Sequence, residues 1–318
     1  MLLSFRMSCM FAVVASRPAL KALTAGPAVV RVRDYKTDCN VVLVGSMHYN
    51  PHSCDVARAV INEEASKGEL RAVGIESCPS RWKQTQEFQP AGSIWRTICD
   101  NEMQTAADAA EDAGVEFLLL DATVEETALR IPQLIVSTLM DIFTPWTGGW
   151  RRVRDDIDAG LAQTDGGDGT TAAMLEPRLL LGAPFSFVRY PLSLIARNPL
   201  IGLLVAGVSI APIFLFSREL SEAIAVGGYT AALPSDWATT EAISGCLALL
   251  CALGFAALEL VVLSRVLLVA ILEERNFVMA RNIRKAGFAA RPGGSVVAVM
   301  GLGHCAGVAK LIRDSRVV

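Results

Sequence analysis

Val296-Val297-Ala298-Val299-Met300-Gly301-Leu302-Gly303-His304 is an apolar, β-branched run that ends in glycine, two residues and histidine. A second stretch, Val41-Val42-Leu43-Val44-Gly45-Ser46-Met47-His48, repeats the pattern near the other end of the chain. The chain has 3 histidines, and two of them stand in this context. A short apolar run closed by glycine predicts a buried strand entering a turn. Glycine at that place lets the backbone turn tightly or approach a ligand closely. A histidine just past the carboxyl end of a central strand is where open α/β sheets place their ligands. The plainer alternative is a turn histidine satisfied by its neighbours. Two copies in one chain favour a shared role.

The segments between these stretches alternate. Residues 40–45 read as a strand, and a helix follows from about Cys54 to Lys67, with Ser53 as its cap. Arg71 to Ile75 is a second strand, ending in Glu76. Asp100 or Asn101 starts another helix to about Ala113. Val115 to Leu120 is a third strand, again ending in an acid, Asp121. Thr123 and Glu126 form a capping box for the next helix. Strand and helix in alternation predict an α/β fold, with a mixed or parallel central sheet flanked by helices. Residues 144–190 carry Gly148-Gly149, Asp155-Asp156 and the run Asp165 to Gly169, and read as a flexible insertion. That run lacks the spacing and closing glutamate of a calcium loop.

Of 318 residues, 52% are hydrophobic, and mean hydropathy is +0.41. That excess asks for membrane segments. Pro199 to Phe216 and Ala242 to Leu258 are uncharged and long enough to cross a hydrocarbon core of about 30 Å. Basic residues gather outside the pair (Arg189, Arg197, Arg265, Arg275), so residues 191–264 predict a transmembrane hairpin inserted in the fold, with both outer ends on one side. The alternative is a buried helical hairpin. An even number of spans is also what lets His48 and His304 share a compartment. The net charge of −3 gives no support to a nucleic-acid partner. The first acid is Asp34, and Arg6, Arg17, Lys21, Arg31 and Arg33 precede it, the pattern of an organellar transit peptide over residues 1–36. Modest serine content favours mitochondrion over plastid, and a secretory signal is the rival. The 8 cysteines form no CxxC pair, which predicts a reducing compartment. Beyond Phe143, residues 265–318 hold a helix from Leu267 to Ala286, the strand ending at His304, and a last helix from about Gly307.

Taken together, Gly45 and His48; Glu76, Ser77, Cys78 and Arg81; Asn101-Glu102-Met103; Asp121 and Thr127 to Arg130; Glu274-Arg275 with Met279-Ala280; and Gly301, His304 and Gly307 resemble the TraB/PrgY family. That family is related to the TIKI metallopeptidases and more distantly to an erythromycin-esterase-like, ChaN-like fold. The resemblance covers about residues 40–140 and 265–315. It makes 37–143 and 265–318 two halves of one domain. The chain departs from the family pattern at Ala122 and Asn276, and in placing its apolar hairpin between the halves.

His48, Glu76 and His304, each just past a predicted strand, are two imidazoles and a carboxylate, a common ligand set for a divalent metal with open positions. Glu76 is either a ligand or a general base. Arg81 and Arg275 either hold a substrate carboxylate or oxyanion, or pair with Glu76, Glu102 or Asp121. Glu102 reads as a helix-face residue and His52 as a surface loop residue. The resemblance implies a divalent metal (Mn, Co or Zn) and metal-dependent hydrolysis of a peptide or ester bond by a protein anchored in an organelle membrane. The other reading is a non-catalytic adaptor or tether in the lipid bilayer, with a protein partner in place of a peptide substrate.

Overall fold

The computed structural model describes residues 23–164, 172–173, 175–197, 235–290 and 293–314. Its centre is a five-stranded mixed sheet in the order β1-β2-β5-β3-β4. β2 (Asn40–Ser46), β5 (Ser295–Gly301), β3 (Leu70–Ile75) and β4 (Glu116–Leu119) are parallel, and β1 (Val29–Arg33) is an antiparallel edge. The last strand of the chain thus lies between the first two parallel strands. That insertion brings the two glycine-histidine stretches side by side, with Gly45 opposite Met300 and Ser46 opposite Gly301.

The central strands are apolar on both faces because helices cover both. Along β2, Val41 and Leu43 face one way and Val42 and Val44 the other. The first face packs with Val296, Ala298 and Met300 against Met279, Ala280 and Ile283 of α9 (Glu274–Ala289) and Val308 and Ile312 of α10 (Leu302–Arg313). The second packs with Val73, Ile75, Val297 and Val299 against α1 (Pro51–Ser66) and α4 (Glu102–Asp112). These helices present small residues to the sheet, Ala57 from α1 and Ala106, Ala109 and Ala110 from α4. Short α2 (Pro79–Phe88) and α3 (Ile94–Ile98) link β3 to α4.

Local sequence explains most boundaries. Asn50 caps α1 through its side chain to His52 N, with Pro51 at the first turn. Ser53, expected as that cap, instead accepts from Met47 N at 3.0 Å. Asn101 caps α4, and Thr123 with Glu126 forms the capping box of α5 (Val124–Phe143). α10 begins at Leu302, directly after β5, rather than near Gly307. His304 is therefore in the first helical turn, not on a loop.

Three expectations change. Residues 29–33 of the leader expected over 1–36 are strand β1, so the fold begins upstream of Asp34; residues 1–22 lie outside the described residues. The insertion expected over 144–190 contains two helices, α6 (Gly149–Thr164) and α7 (Pro177–Arg197). Their breakers misled the reading: Gly149 opens α6, and Pro184 and Pro191 sit inside α7. The run 165–169 lies outside the described residues. The expected span Pro199 to Phe216 also lies outside them, while Ala242 to Leu258 falls in α8 (Ser235–Arg265). α8 continues through a π-helical stretch, Val266–Glu273, into α9. Two apolar helices among the described residues are long enough to cross a membrane: Pro177–Arg197 and the continuous rod Leu250–Ala289.

Candidate functional site

The parallel register puts four strand tips along one edge of the sheet. His48 follows β2, Glu76 follows β3, Asp121 follows β4 and His304 follows β5. Glu76 N is tied to Val299 O at 3.0 Å and Asp121 N to Ser77 O at 3.1 Å, so these acids remain in line with the sheet. Gly301 lies at the middle. A methyl group built on it would stand 3.2 Å from Glu76 Oε2, 3.5 Å from His48 Nε2 and 3.6 Å from His304 Cδ2. Three side chains distant in sequence therefore surround one point, and glycine there leaves that point clear. The Gly301 backbone, at φ −56° and ψ 139°, is open to any residue. Gly301→Ala is thus expected to lower the thermal midpoint, because the clamped Glu76 carboxylate must give way to a methyl group 3.2 Å from its Oε2, and to block a small ligand from the three side chains, as read by a melt and by metal titration.

His48 is held from behind. Its Nδ1 lies 2.6 Å from Glu102 Oε1, and Glu102 is fully buried. Glu102 also accepts from Ser46 Oγ at 3.1 Å and from Tyr49 N at 3.1 Å. Tyr49 has φ +62°, a strained position for an aromatic residue that its bond to Glu102 and the seating of its ring sustain. The Tyr49 hydroxyl meets Ser193 Oγ at 2.7 Å and accepts from Arg197 Nη2 at 2.9 Å. Tyr190 stacks on the His48 ring at 6.3 Å between centroids. Helix α7 thus roofs the His48 side of the site. Burial lowers the His48 pKa, but the Glu102 carboxylate outweighs it and raises it to about 9. The side chain remains 39% exposed, so solvent moderates that effect.

His304 is held in the same manner. Its Nδ1 meets Asn276 Oδ1 at 2.7 Å. Asn276 in turn donates Nδ2 to Gln163 Oε1 at 2.8 Å, which orients its oxygen toward the ring. Gly307 is needed here, because a Cβ on it would overlap Asn276 Nδ2. Both histidines therefore donate Nδ1–H to an acceptor and turn Nε2 to the site, the arrangement that orients metal-binding imidazoles. His304 Nε2 lies 3.3 Å from Glu76 Oε1.

Glu76, Arg275, Asp121 and Arg81 form a linked ion network. Arg275 bonds both Glu76 and Asp121, with Nε 2.9 Å from Asp121 Oδ1. Arg81 also bonds Asp121. Gly301 N donates to Glu76 Oε2 at 2.5 Å. Burial raises the Glu76 carboxyl, but His304, Arg275 and His48 more than reverse this and hold it well below the usual carboxylate range. Burial pushes the neighbouring Cys305 thiol up to about 12, so it is no thiolate nucleophile at neutral pH.

The expected trio His48, Glu76 and His304 is thus brought together, and Arg275 and Arg81 join it through Asp121. The two arginines form the ion pairs foreseen as the alternative to substrate contacts, and Arg81 keeps 38% of its side chain exposed at the edge of the network. Among the described residues no group of three His, Cys, Asp or Glu side chains is closed into a metal cage. The donors converge, but Glu76 is already engaged by Arg275 and Gly301. Glu102, read as a helix-face residue, is instead the buried support of His48, and Asn276 is the support of His304. His52, read as a surface loop residue, sits in the first turn of α1, 3.2 Å from Glu176 and only 10% exposed. No family profile matches the sequence, and no curated protein matches it.

Proposed function

We propose that this chain is a membrane-anchored, metal-dependent hydrolase of the TraB/PrgY and TIKI type, acting on a peptide bond. The observation that carries the reading is His48 Nε2 beside Gly301 and His304 Nε2 3.3 Å from Glu76 Oε1, each imidazole already committed at Nδ1. His48, His304 and Glu76 would hold a divalent ion of the Mn, Co or Zn class; bound there, such an ion lowers the pKa of a water and polarises a carbonyl. The depressed Glu76 pKa suits a ligand better than a general base, whose pKa should lie near the working pH. Glu102 and Asn276 would fix the imidazoles, and Arg275 would keep Glu76 and Asp121 in place. Arg81, half exposed, would meet the substrate carboxylate or oxyanion. The acid-poor, basic N-terminal stretch supports an organelle membrane, mitochondrial in preference to plastid.

One observation favours a second reading, a non-catalytic membrane adaptor or tether. Glu76 and Asp121 are fully occupied by Arg275 and Arg81, as a purely structural network would be. Metal titration of the purified full chain in detergent, with peptide hydrolysis followed before and after chelation, separates the two. Stoichiometric binding with chelator-sensitive cleavage supports the hydrolase. No uptake of Mn²⁺, Co²⁺ or Zn²⁺, together with full function of the His48→Ala, His304→Ala double variant, supports the tether.

Glu102 offers a further test on this reading. Glu102→Gln keeps the size but cannot accept from His48, Ser46 and Tyr49 N at once. Metal affinity is expected to fall about 10–100-fold, with retained helical content, when competed against a chromophoric chelator.

A further inference from the structure

Helix α5 has two apolar faces, and among the described residues only one is packed. Ile131 and Leu134 pack on Val266, Val269 and Ala270 of the rod that continues α8. Leu129, Val136, Met140 and Phe143 lie three, four or seven residues apart on the outward side, and each is more than 60% exposed. An ordinary surface helix carries charge and polarity there. Beyond α5, Trp146 in the following turn is 79% exposed and Trp150, in the first turn of α6, is 63% exposed. Arg151 and Arg154 are exposed directly beyond, with Asp155 3.9 Å from Arg154.

The level of this patch is set by ion pairs to the rod. Arg130 Nε meets Glu274 Oε1 at 2.7 Å near one end, and Arg265 Nη1 meets Asp141 Oδ2 at 2.8 Å near the other. The two helices therefore run antiparallel, and the end of α5 lies beside Arg265. Arg265 is buried, held also by Asp156, while Arg152 holds Asp141 from the other side. Before Arg265, α8 carries Leu250, Leu253, Phe255, Leu260 and Leu263, all exposed. From Leu250 to Arg265 the helix extends about 22 Å, at 1.5 Å per residue, past the end of α5. The apolar rod thus leaves the domain at the height of Trp146 and Trp150.

We propose that the C-terminal end of α5, with Met140 and Phe143, and the segment Pro145–Trp150 form a platform at the headgroup layer of the bilayer that α8 enters. This rests on reading α8 as a membrane span. Tryptophan favours that layer, and flanking arginines meet headgroup phosphates. Trp150 Nε1 donates to Ile142 O at 2.9 Å, which holds its ring at the end of α5. The platform and the Arg265 ion cluster would fix the height and tilt of the domain over the membrane, and with it the distance of the strand-tip edge from the lipid.

The full chain, reconstituted in vesicles of phosphatidylcholine and anionic phosphatidylglycerol, provides the test. Single-tryptophan variants keep Trp146, Trp150 or Trp82, the others replaced by phenylalanine, and a fourth carries Leu253→Trp as its one tryptophan. Brominated phosphatidylcholines place the quencher at shallow or deep positions. Trp146 and Trp150 are expected to be quenched most by shallow bromines, Leu253→Trp by deep ones, and Trp82, packed on Phe117, by neither. Quenching of Leu253→Trp with Trp146 and Trp150 untouched overturns the platform and leaves the span, and a second copy or protein on that face is then the occupant. No quenching at all overturns both. Photoactivatable lipid on the unmodified chain gives the same reading without substitutions: adducts within 136–150 support the platform, and adducts confined to 247–267 refute it.

Discussion

Replacing both His48 and His304 with alanine is expected to abolish divalent-metal binding by the full chain and leave its fold intact. His48 is partly exposed, whereas His304 is buried, and each removal takes a partner from Glu102 or Asn276, so the double variant is expected to remain folded with a lowered thermal midpoint. The loss should exceed the ~10–100-fold cost of disturbing a supporting group, because a ligand itself is removed. Each single variant should retain weak binding through the remaining histidine and Glu76. Peptide hydrolysis should be lost in the double variant and in both single variants. Calorimetric metal titration paired with a thermal melt reads both halves of this expectation. A double variant that binds the ion as tightly as the parent chain would place the metal elsewhere.

The second large effect concerns stability. Arg275→Met removes the cation that, among the described residues, Glu76 and Asp121 share, two carboxylates almost without solvent. Arg81 would still meet Asp121, but Glu76 would lose its arginine and face His304 and Gly301 N alone. Removing one partner of a buried pair costs about 3–5 kcal/mol. For a domain of this size each kcal/mol lowers the thermal midpoint by about 2–4 °C. A melt in detergent should show that fall, and Arg275→Lys should recover part of it because one charge returns without the two-pronged geometry. If Arg275→Met melts with the parent chain, the network is peripheral to the fold.

Much of the site was legible in the sequence because strand tips carry local signals. Val41 to Gly45 and Val296 to Gly301 are strands, and Glu76 and Asp121 do follow strands. The strand order was not legible. That β5 inserts between β2 and β3 is a long-range pairing, and it alone turns four separate tips into one edge. Supporting groups were hidden for a similar reason. Glu102 is buried because Ser46, His48 and Tyr49 from a distant loop satisfy it, and nothing near Glu102 in the chain announces this. Asn276 stands where the resemblant family often has aspartate, yet its amide oxygen serves His304. Helices α6 and α7 were obscured by glycine and proline, which the packing of α7 over α1 and His48 overrides.

The arrangement also assigns separate tasks to the two apolar helices. α7 reaches the site directly, through Tyr190 on His48 and through Ser193 and Arg197 on Tyr49. α8 reaches it through the π-helical stretch and α9, which carry Arg275 and Asn276.

The most direct test is X-ray absorption on the full chain loaded with one equivalent of Zn²⁺ or Co²⁺. The account requires two imidazole nitrogens and at least one carboxylate oxygen at about 2.0–2.2 Å from the ion, with one imidazole lost from the spectrum in His48→Ala and the other in His304→Ala. An ion without imidazole ligands, or a chain that takes up no ion while Arg275 still clamps Glu76, would contradict it.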